Sequence, residues 1–163
     1  MKYRVGHGYD VHRLEAGRRL ILGGVEIEHE RGLAGHSDAD VLTHAVIDAL
    51  LGAAGLGDIG EHFPDADGQY KDISSLVLLE RAVKLVERDF NIVNVDCTVV
   101  AEQPKLAQYK PEMRDKLSKI MHIYKDDVNI KAKTEERLGL AGSGIAAHAV
   151  CIVEKRGGKF AWL

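Results

Sequence analysis

Cysteine is nearly absent from this chain, and the two that occur, Cys97 and Cys151, lie far apart with no paired spacing near either. That excludes a disulfide framework and a cysteine-based zinc site. Both sit in apolar runs, where a free thiol behaves as a small hydrophobe. Long apolar runs are missing as well. No stretch approaches the roughly 20 residues of a membrane-spanning helix, and the N-terminus, Met1-Lys2-Tyr3-Arg4-Val5-Gly6-His7, has no apolar signal core. Charge of one sign is not collected anywhere: 22 Lys and Arg are interspersed with 25 Asp and Glu, for a formal net charge of −3. A basic footprint for nucleic acid or an anionic membrane is therefore lacking, and an ordinary solvated surface accounts for the charges. Proline is rare, and no linker, repeat or low-complexity segment divides the chain. These absences predict one domain over residues 1–163 in a reducing, cytoplasmic setting, without a nucleic-acid or membrane partner.

Apolar residues make up 45% of the chain, enough to bury a core. Residues 3–9 read as a strand, and residues 19–27 read as a hairpin turning at Gly23-Gly24. Over residues 38–54, Val41, Leu42, Ala45, Val46, Ala49, Leu50 and Ala53 form a helical stripe, with Ser37 placed to cap it. Residues 55–68, rich in Gly and Asp, read as a loop. A second helix is predicted over 74–88, turning Leu76, Leu79, Ala82, Val83 and Val86 inward, and a third over 110–121. Strands are predicted over 92–101, 128–132 and 145–154. The alternation argues for an α/β domain, an α+β sandwich of a mixed sheet with helices packed on one face.

Of eight histidines, few sit where a metal site is easy to build. Asp10 and His12, two apart at the end of a strand-like segment, should share one face. His44 lies on the first helix, off its apolar stripe and aligned with Asp40 and Asp48 at four-residue spacing. A carboxylate and two imidazoles would make an open zinc site with a position left for a substrate oxygen. On spacing alone, a solvated strand end and helix face is the commoner outcome. His36-Ser37-Asp38, at the expected helix start, could hold phosphate on outward-pointing amides, or Ser37 could simply cap. Asp58-Ile59-Gly60 and Phe63-Pro64-Asp65-Ala66-Asp67 could hold sugar hydroxyls or be a solvated turn. Lys131-Ala132-Lys133-Thr134-Glu135-Glu136 combines phosphate donors with carboxylates suited to Mg²⁺ or Mn²⁺, though such strand ends are usually solvated. His7, His29, His62, His122 and His148 have no partner that spacing identifies. The apolar end Phe160-Ala161-Trp162-Leu163 is expected to pack on the domain or a neighbouring subunit.

Several ordered motifs together resemble the cyclodiphosphate synthase family of the non-mevalonate isoprenoid pathway. They run from Gly6-His7-Gly8-Tyr9-Asp10-Val11-His12 through Ala34-Gly35-His36-Ser37-Asp38-Ala39-Asp40-Val41 with His44 following. Leu51-Gly52-Ala53-Ala54-Gly55-Leu56-Gly57-Asp58-Ile59-Gly60 and Phe63-Pro64-Asp65 come next. Asn94-Val95-Asp96, Gln103-Pro104-Lys105 and Asp127-Val128-Asn129-Ile130-Lys131-Ala132 complete the match.

The resemblance implies conversion of 4-diphosphocytidyl-2-C-methyl-D-erythritol 2-phosphate into a cyclic diphosphate with release of CMP. It implies Zn²⁺ on Asp10, His12 and His44, with Asp10, Val11 and His12 also against the substrate. His36 and Ser37 would contact the methylerythritol phosphate, and His36 and Thr134 would stabilise the transition state. Asp58 and Gly60 would meet the ribose, Ile59 would also contact the substrate, and Phe63, Pro64, Asp65, Ala66 and Asp67 would lie along the erythritol portion. Ala101, Glu102, Gln103, Pro104, Lys105, Leu106 and Ala107 would form the cytidine pocket. Lys133, Thr134, Glu135 and Glu136 would bind the diphosphate, Glu136 helping a second divalent cation, Mg²⁺ or Mn²⁺. Family members are homotrimers with each site between two subunits, so Lys133 to Glu136 would serve a neighbour's zinc site. Two departures stand out. The run Leu140-Ala141-Gly142-Ser143-Gly144-Ile145 is shorter than the family's and lacks its Arg, and Lys133 stands where the family usually has Thr. A zinc phosphohydrolase and a trimeric sensor of isoprenoid diphosphates are the competing readings. The Gln103-Pro104-Lys105 match weighs against the first, and the missing Arg against the second.

Overall fold

The computed structural model of the chain describes residues 1–64, 66–70, 72–139 and 142–157. Asp65, the 140–141 step of the shortened run and the Phe160–Leu163 tail lie outside them. The main sheet has five strands in the order β4-β1-β7-β5-β6. These are β1 (Tyr3–Ala16), β4 (Arg31–Leu33), β5 (Phe90–Val100), β6 (Val128–Lys133) and β7 (Gly144–Lys155). β1 pairs antiparallel with β7 and β4, and β5 antiparallel with β7 but parallel with β6. The sheet is therefore mixed. The parallel step from β5 to β6 is bridged by a helix, as a parallel connection requires. β2 (Leu20–Leu22) and β3 (Val25–Ile27) form a separate hairpin. Gly23 and Gly24, with φ of 57° and 70°, make its two-residue turn, a conformation in which glycine carries no steric penalty.

The helices are α1 (Val41–Ala54), α2 (Ile59–His62), α3 (Ser75–Val86) and α4 (Lys110–Met121). α1 packs on β1 and β7, α3 on α1, and α4 on β6 and α3, so one sheet face is covered. Leu42, Val46, Leu50, Leu79, Val83, Met113 and Leu117 are wholly buried between these layers. Each such Leu or Val contributes roughly 1.5–3 kcal/mol over remaining exposed. The face of β1 and β7 turned away from the helices leaves Val5, Tyr9, Val11 and Val150 exposed. No helix among the described residues is long and apolar enough to cross a membrane.

Four expectations need correction. β1 runs well past residue 9, because Asp10 to Arg13 stay paired with β7 and Leu14 to Ala16 pair with β4. The polar residues there read as a strand end, but two pairing partners override that local signal. β4 itself carries no pattern long enough to read. The first helix begins at Val41, not residue 38, and its cap is Asp40 rather than Ser37: the Asp40 side chain accepts from Thr43 N at 3.0 Å. Within the expected loop 55–68, α2 forms one helical turn because Asp58 caps it, accepting from Glu61 N at 3.0 Å.

Candidate active site

In a strand, alternate residues face one side. Gly6, Gly8, Asp10 and His12 therefore share the side of β1 that faces α1. A Cβ built on Gly6 would lie 1.8 Å from Ala49 O, and one on Gly8 1.9 Å from Ala45 O. The two glycines let α1 settle directly on β1, and this close approach brings His44 over Asp10 and His12. Asp10 Oδ2 lies 2.9 Å from His12 Nε2 and 3.0 Å from His44 Nδ1, and the two ring nitrogens are 3.4 Å apart.

This donor set fits zinc. Bonds of about 2.0–2.1 Å at tetrahedral angles separate ligand atoms by about 3.4 Å, close to the spacing present, and all three residues line a cavity. Each ring is held from behind. His12 Nδ1 donates to Ala34 O at 2.7 Å, which leaves Nε2 facing the site. His44 Nε2 lies 2.8 Å from Ser75 Oγ and 3.2 Å from Ser37 Oγ, which leaves Nδ1 facing it. Burial opposes ionisation of Asp10, but the adjacent His12 and His44 rings outweigh it and hold the carboxyl well below the usual carboxylate range. Among the described residues this is the one group of three or more potential ligands close enough to share an ion.

The triad forms the floor of a cavity of about 520 Å³. Gly35, His36 and Ser37 close one side; Ile59, Gly60, Phe63, Pro64, Ala66, Tyr70 and Leu78 form the other. Arg18 braces the first side, donating to the carbonyls of Leu33, Gly35 and Ser37 at 2.9, 3.2 and 3.3 Å. His36 is exposed at the rim and Ser37 is buried beneath it. Because α1 starts only at Val41 and the Asp40 carboxylate takes the Thr43 amide, His36-Ser37-Asp38 is not a helix-start anion site. Asp40 is itself a structural group: fully buried, it accepts from Gly23 N, Gly24 N, Thr43 N and Thr43 Oγ1, and burial pushes its carboxyl upward.

Other residues singled out in the sequence lie outside the cavity lining. Val11 points to the opposite sheet face, Asp58 caps α2, and Asp67 accepts from Gln69 N at 3.1 Å. Sequence reasoning missed Asp48, Tyr70 and Leu78 as lining residues. Asp48 had a signal, since it follows His44 by one helical turn. Burial raises its pKa, and it accepts from Ile59 N at 2.8 Å, tying α2 to α1 over the cavity. Tyr70 and Leu78 come from separate elements and carry no local signal.

A second cavity, of about 420 Å³, is lined by Glu102, Gln103, Lys105, Thr134, Glu136 and Arg137. It lies where the parallel strands β5 and β6 end side by side, joined by Ala101 N to Lys133 O at 2.9 Å. Ala101 and Leu106 are buried, Pro104 follows a cis bond from Gln103, and Ala107 is exposed. Glu102 accepts from Glu135 N and Arg137 N, both at 3.0 Å, and Thr134 donates to Glu136. Lys131 is engaged by Asp96 rather than free for an anion. None of Lys133, Thr134, Glu135 and Glu136 lines the triad's cavity, so within one chain His36 and Thr134 face different spaces. The remaining histidines have partners that spacing did not reveal: His7 with His148, His29 with the Arg31 backbone, His62 with Leu56 O, and His122 with Glu87.

The YgbB family model matches residues 3–154. The 2-C-methyl-D-erythritol 2,4-cyclodiphosphate synthase of Syntrophomonas wolfei is 57% identical over 155 residues, covering 93% of this chain and 99% of the relative. Among solved structures, the bifunctional IspDF from Campylobacter jejuni superposes with a TM-score of 0.91 at 39% identity, covering 95% of this chain, which spans 43% of that larger protein. A 2C-methyl-D-erythritol-2,4-cyclodiphosphate synthase in its CDP-bound form superposes with a TM-score of 0.86 at 39% identity, covering 93% of this chain and all of that one. With a match across nearly its whole length, the chain belongs to the YgbB family, the family of its 2-C-methyl-D-erythritol 2,4-cyclodiphosphate synthase relatives.

Proposed function

We propose that this chain converts 4-diphosphocytidyl-2-C-methyl-D-erythritol 2-phosphate into 2-C-methyl-D-erythritol 2,4-cyclodiphosphate and CMP, as a single-domain phosphorus–oxygen lyase of the non-mevalonate isoprenoid pathway. The observation that carries the reading is the Asp10, His12 and His44 triad at the floor of a cavity, in a chain more than half identical to synthases of that name. The substrate's terminal phosphate oxygen attacks the β-phosphorus of its own diphosphate. The bond from that phosphorus to the CMP oxygen breaks, and CMP leaves with the electron pair. Asp10, His12 and His44 would hold Zn²⁺, which would supply charge neutralisation and Lewis-acid polarisation of a phosphate oxygen.

The protein's own groups supply placement. His12 and His44, pinned through their outer nitrogens, keep their inner nitrogens aimed at one point. His36 and Ser37 sit where they can donate to the attacking phosphate. Ile59, Phe63, Tyr70 and Leu78 give the cavity an apolar wall that keeps water from the β-phosphorus, so that ring closure outruns hydrolysis. Phosphoryl transfer needs little covalent help beyond such positioning and electrostatics, and no Ser or Cys nucleophile is invoked.

The second cavity takes the other end of the substrate. Residues 101–107 hold cytidine, Lys133 to Glu136 hold the diphosphate, and Glu136 helps a Mg²⁺ or Mn²⁺ ion. Because that cavity is separate from the triad within one chain, the complete site is formed between subunits of a homotrimer. The uncovered apolar face of β1 and β7 supports such an assembly. The test is phosphorus NMR of products from the CDP-linked substrate: CMP and a cyclic diphosphate are expected. Linear methylerythritol diphosphate would instead mark a zinc phosphohydrolase.

A further inference from the structure

His44 is steered by two residues that belong to neither the metal triad nor the cavity lining. Ser75, the first residue of α3, is completely buried, and its Oγ lies 2.8 Å from His44 Nε2. Asp38, from the loop before α1, accepts from Ser75 N at 2.9 Å and from the Ser75 hydroxyl through its other oxygen. A hydroxyl carries one proton, and an ionised carboxylate can only accept. The Ser75 proton is therefore committed to Asp38, and the lone pair left on Ser75 Oγ can only accept from His44. That sets the ring with its proton on Nε2 and its free electron pair on Nδ1, the atom 3.0 Å from Asp10 Oδ2. Ser37 Oγ, at 3.2 Å from the same nitrogen, is a longer contact with no carboxylate behind it, and it already accepts from Ala39 N.

We infer that Ser75 and Asp38 are positioning residues for the metal: their relay selects the His44 tautomer that can bind zinc and holds the ring in place. The inference rests on the zinc reading of the triad. It has a structural competitor, because Ser74 makes no side-chain cap bond and Asp38 therefore also caps α3 from a distance, through the Ser75 amide. The two roles are separable. Ser75→Ala removes the hydroxyl relay but keeps the amide that Asp38 caps. The same relay ties the loop carrying His36 and Ser37 to the metal, since Asp38 N also donates to Ile73 O and Asp72 N to His36 O, at 3.1 and 3.0 Å.

The test strips the full-length protein of metal and titrates Zn²⁺ against a competing chelator for the parent, Ser75→Ala, Ser37→Ala and His44→Ala. Ser75→Ala is expected to bind zinc about 10–100-fold more weakly, the usual cost of losing a ligand's outer partner. Ser37→Ala should lose less, and apo Ser75→Ala should melt close to the apo parent. Zinc affinity of Ser75→Ala within twofold of the parent overturns the inference. A parent that takes up no stoichiometric zinc, or a His44→Ala variant that takes it up normally, overturns the metal reading and this inference with it. Should Ser75→Ala fail to fold, long-range proton–nitrogen NMR of the zinc-loaded parent decides. A proton on His44 Nε2 is expected, and one on Nδ1 overturns the relay.

Discussion

The two cavities of this chain are built differently. In the first, both imidazoles are braced from behind, His12 by the Ala34 carbonyl and His44 by Ser75, and β1, which carries Asp10, is held by the seating of α1 on Gly6 and Gly8. In the second, the lining residues stand on loops past the ends of β5 and β6. Glu136 and Arg137 there adopt φ of 52° and 64°, and the Glu102 carboxylate holds the turn. A non-glycine residue in that region is strained and persists where surrounding contacts impose it. Under the proposed function, the contrast is between a half-site finished within one chain and a half-site that meets its chemistry only when another subunit's surface is brought to it.

The largest way to break the contrast is at the seat of α1. Gly8→Ala would drive a Cβ to 1.9 Å from a backbone oxygen that cannot rotate away, so α1 must lift from β1. Overpacking typically costs about 1–3 kcal/mol and occasionally more, and the upper end is expected here because the obstacle is backbone. Zinc uptake should fall with it, whereas the same Cβ at exposed Gly157, with nothing near it, should change neither. Denaturant unfolding and metal content check both. A Gly8→Ala protein of parental stability and zinc content would show that close seating does not build the site.

A subunit-mixing experiment sharpens the comparison at intermediate scale. His12→Ala damages only the first cavity and Thr134→Ala only the second, so each alone should be inactive. If the chain forms the proposed homotrimer, about one site in four of randomly exchanged trimers of equal parts joins an intact half from each chain, as heterologous packing around a threefold permits. Activity should return to about that fraction of the parent's. Confirmed exchange without recovery would mean that each chain houses its own site.

The smallest effect concerns the floor beneath the metal half. Burial pushes the Cys97 thiol up to about 12 and the Cys151 thiol up to about 11, and Cys151 Sγ donates to Ala49 O under α1 at 3.2 Å. Both should stay protonated and resist iodoacetamide at pH 8 in the native protein, then react once it is unfolded. A raised folded pKa stabilises fully below the unfolded value near 9.0 and loses that contribution as pH climbs through the folded values, so stability should decline between about pH 9 and 12. Rapid native alkylation at pH 8 would show that the seal under α1 opens readily.

Much of this was legible locally. The 110–121 helix matches α4 residue for residue, because its apolar spacing and the helix-compatible Pro111 near its start are local signals. The Gly23-Gly24 hairpin was equally readable from turn chemistry. What escaped was whatever depended on a distant partner: the second half of β1, held by β7 and β4; the short β4; and Tyr70 and Leu78 in the cavity wall. The cap of α1 was misread for a related reason. Ser37 and Asp40 are both good capping residues, and nothing local says that Gly23 and Gly24 will donate to Asp40 from the hairpin and fix the helix start there.

By itself, the sequence determined that Asp10 and His12 face one side, because the two-residue period of a strand admits nothing else. Only the tertiary structure decided that α1 is the element that lands there, in the register that sets His44 Nδ1 within 3.0 Å of Asp10. It also lines a cavity separate from that triad with Thr134 and Glu136. Distances between elements follow from packing and strand order, and residues far apart in sequence carry no record of either.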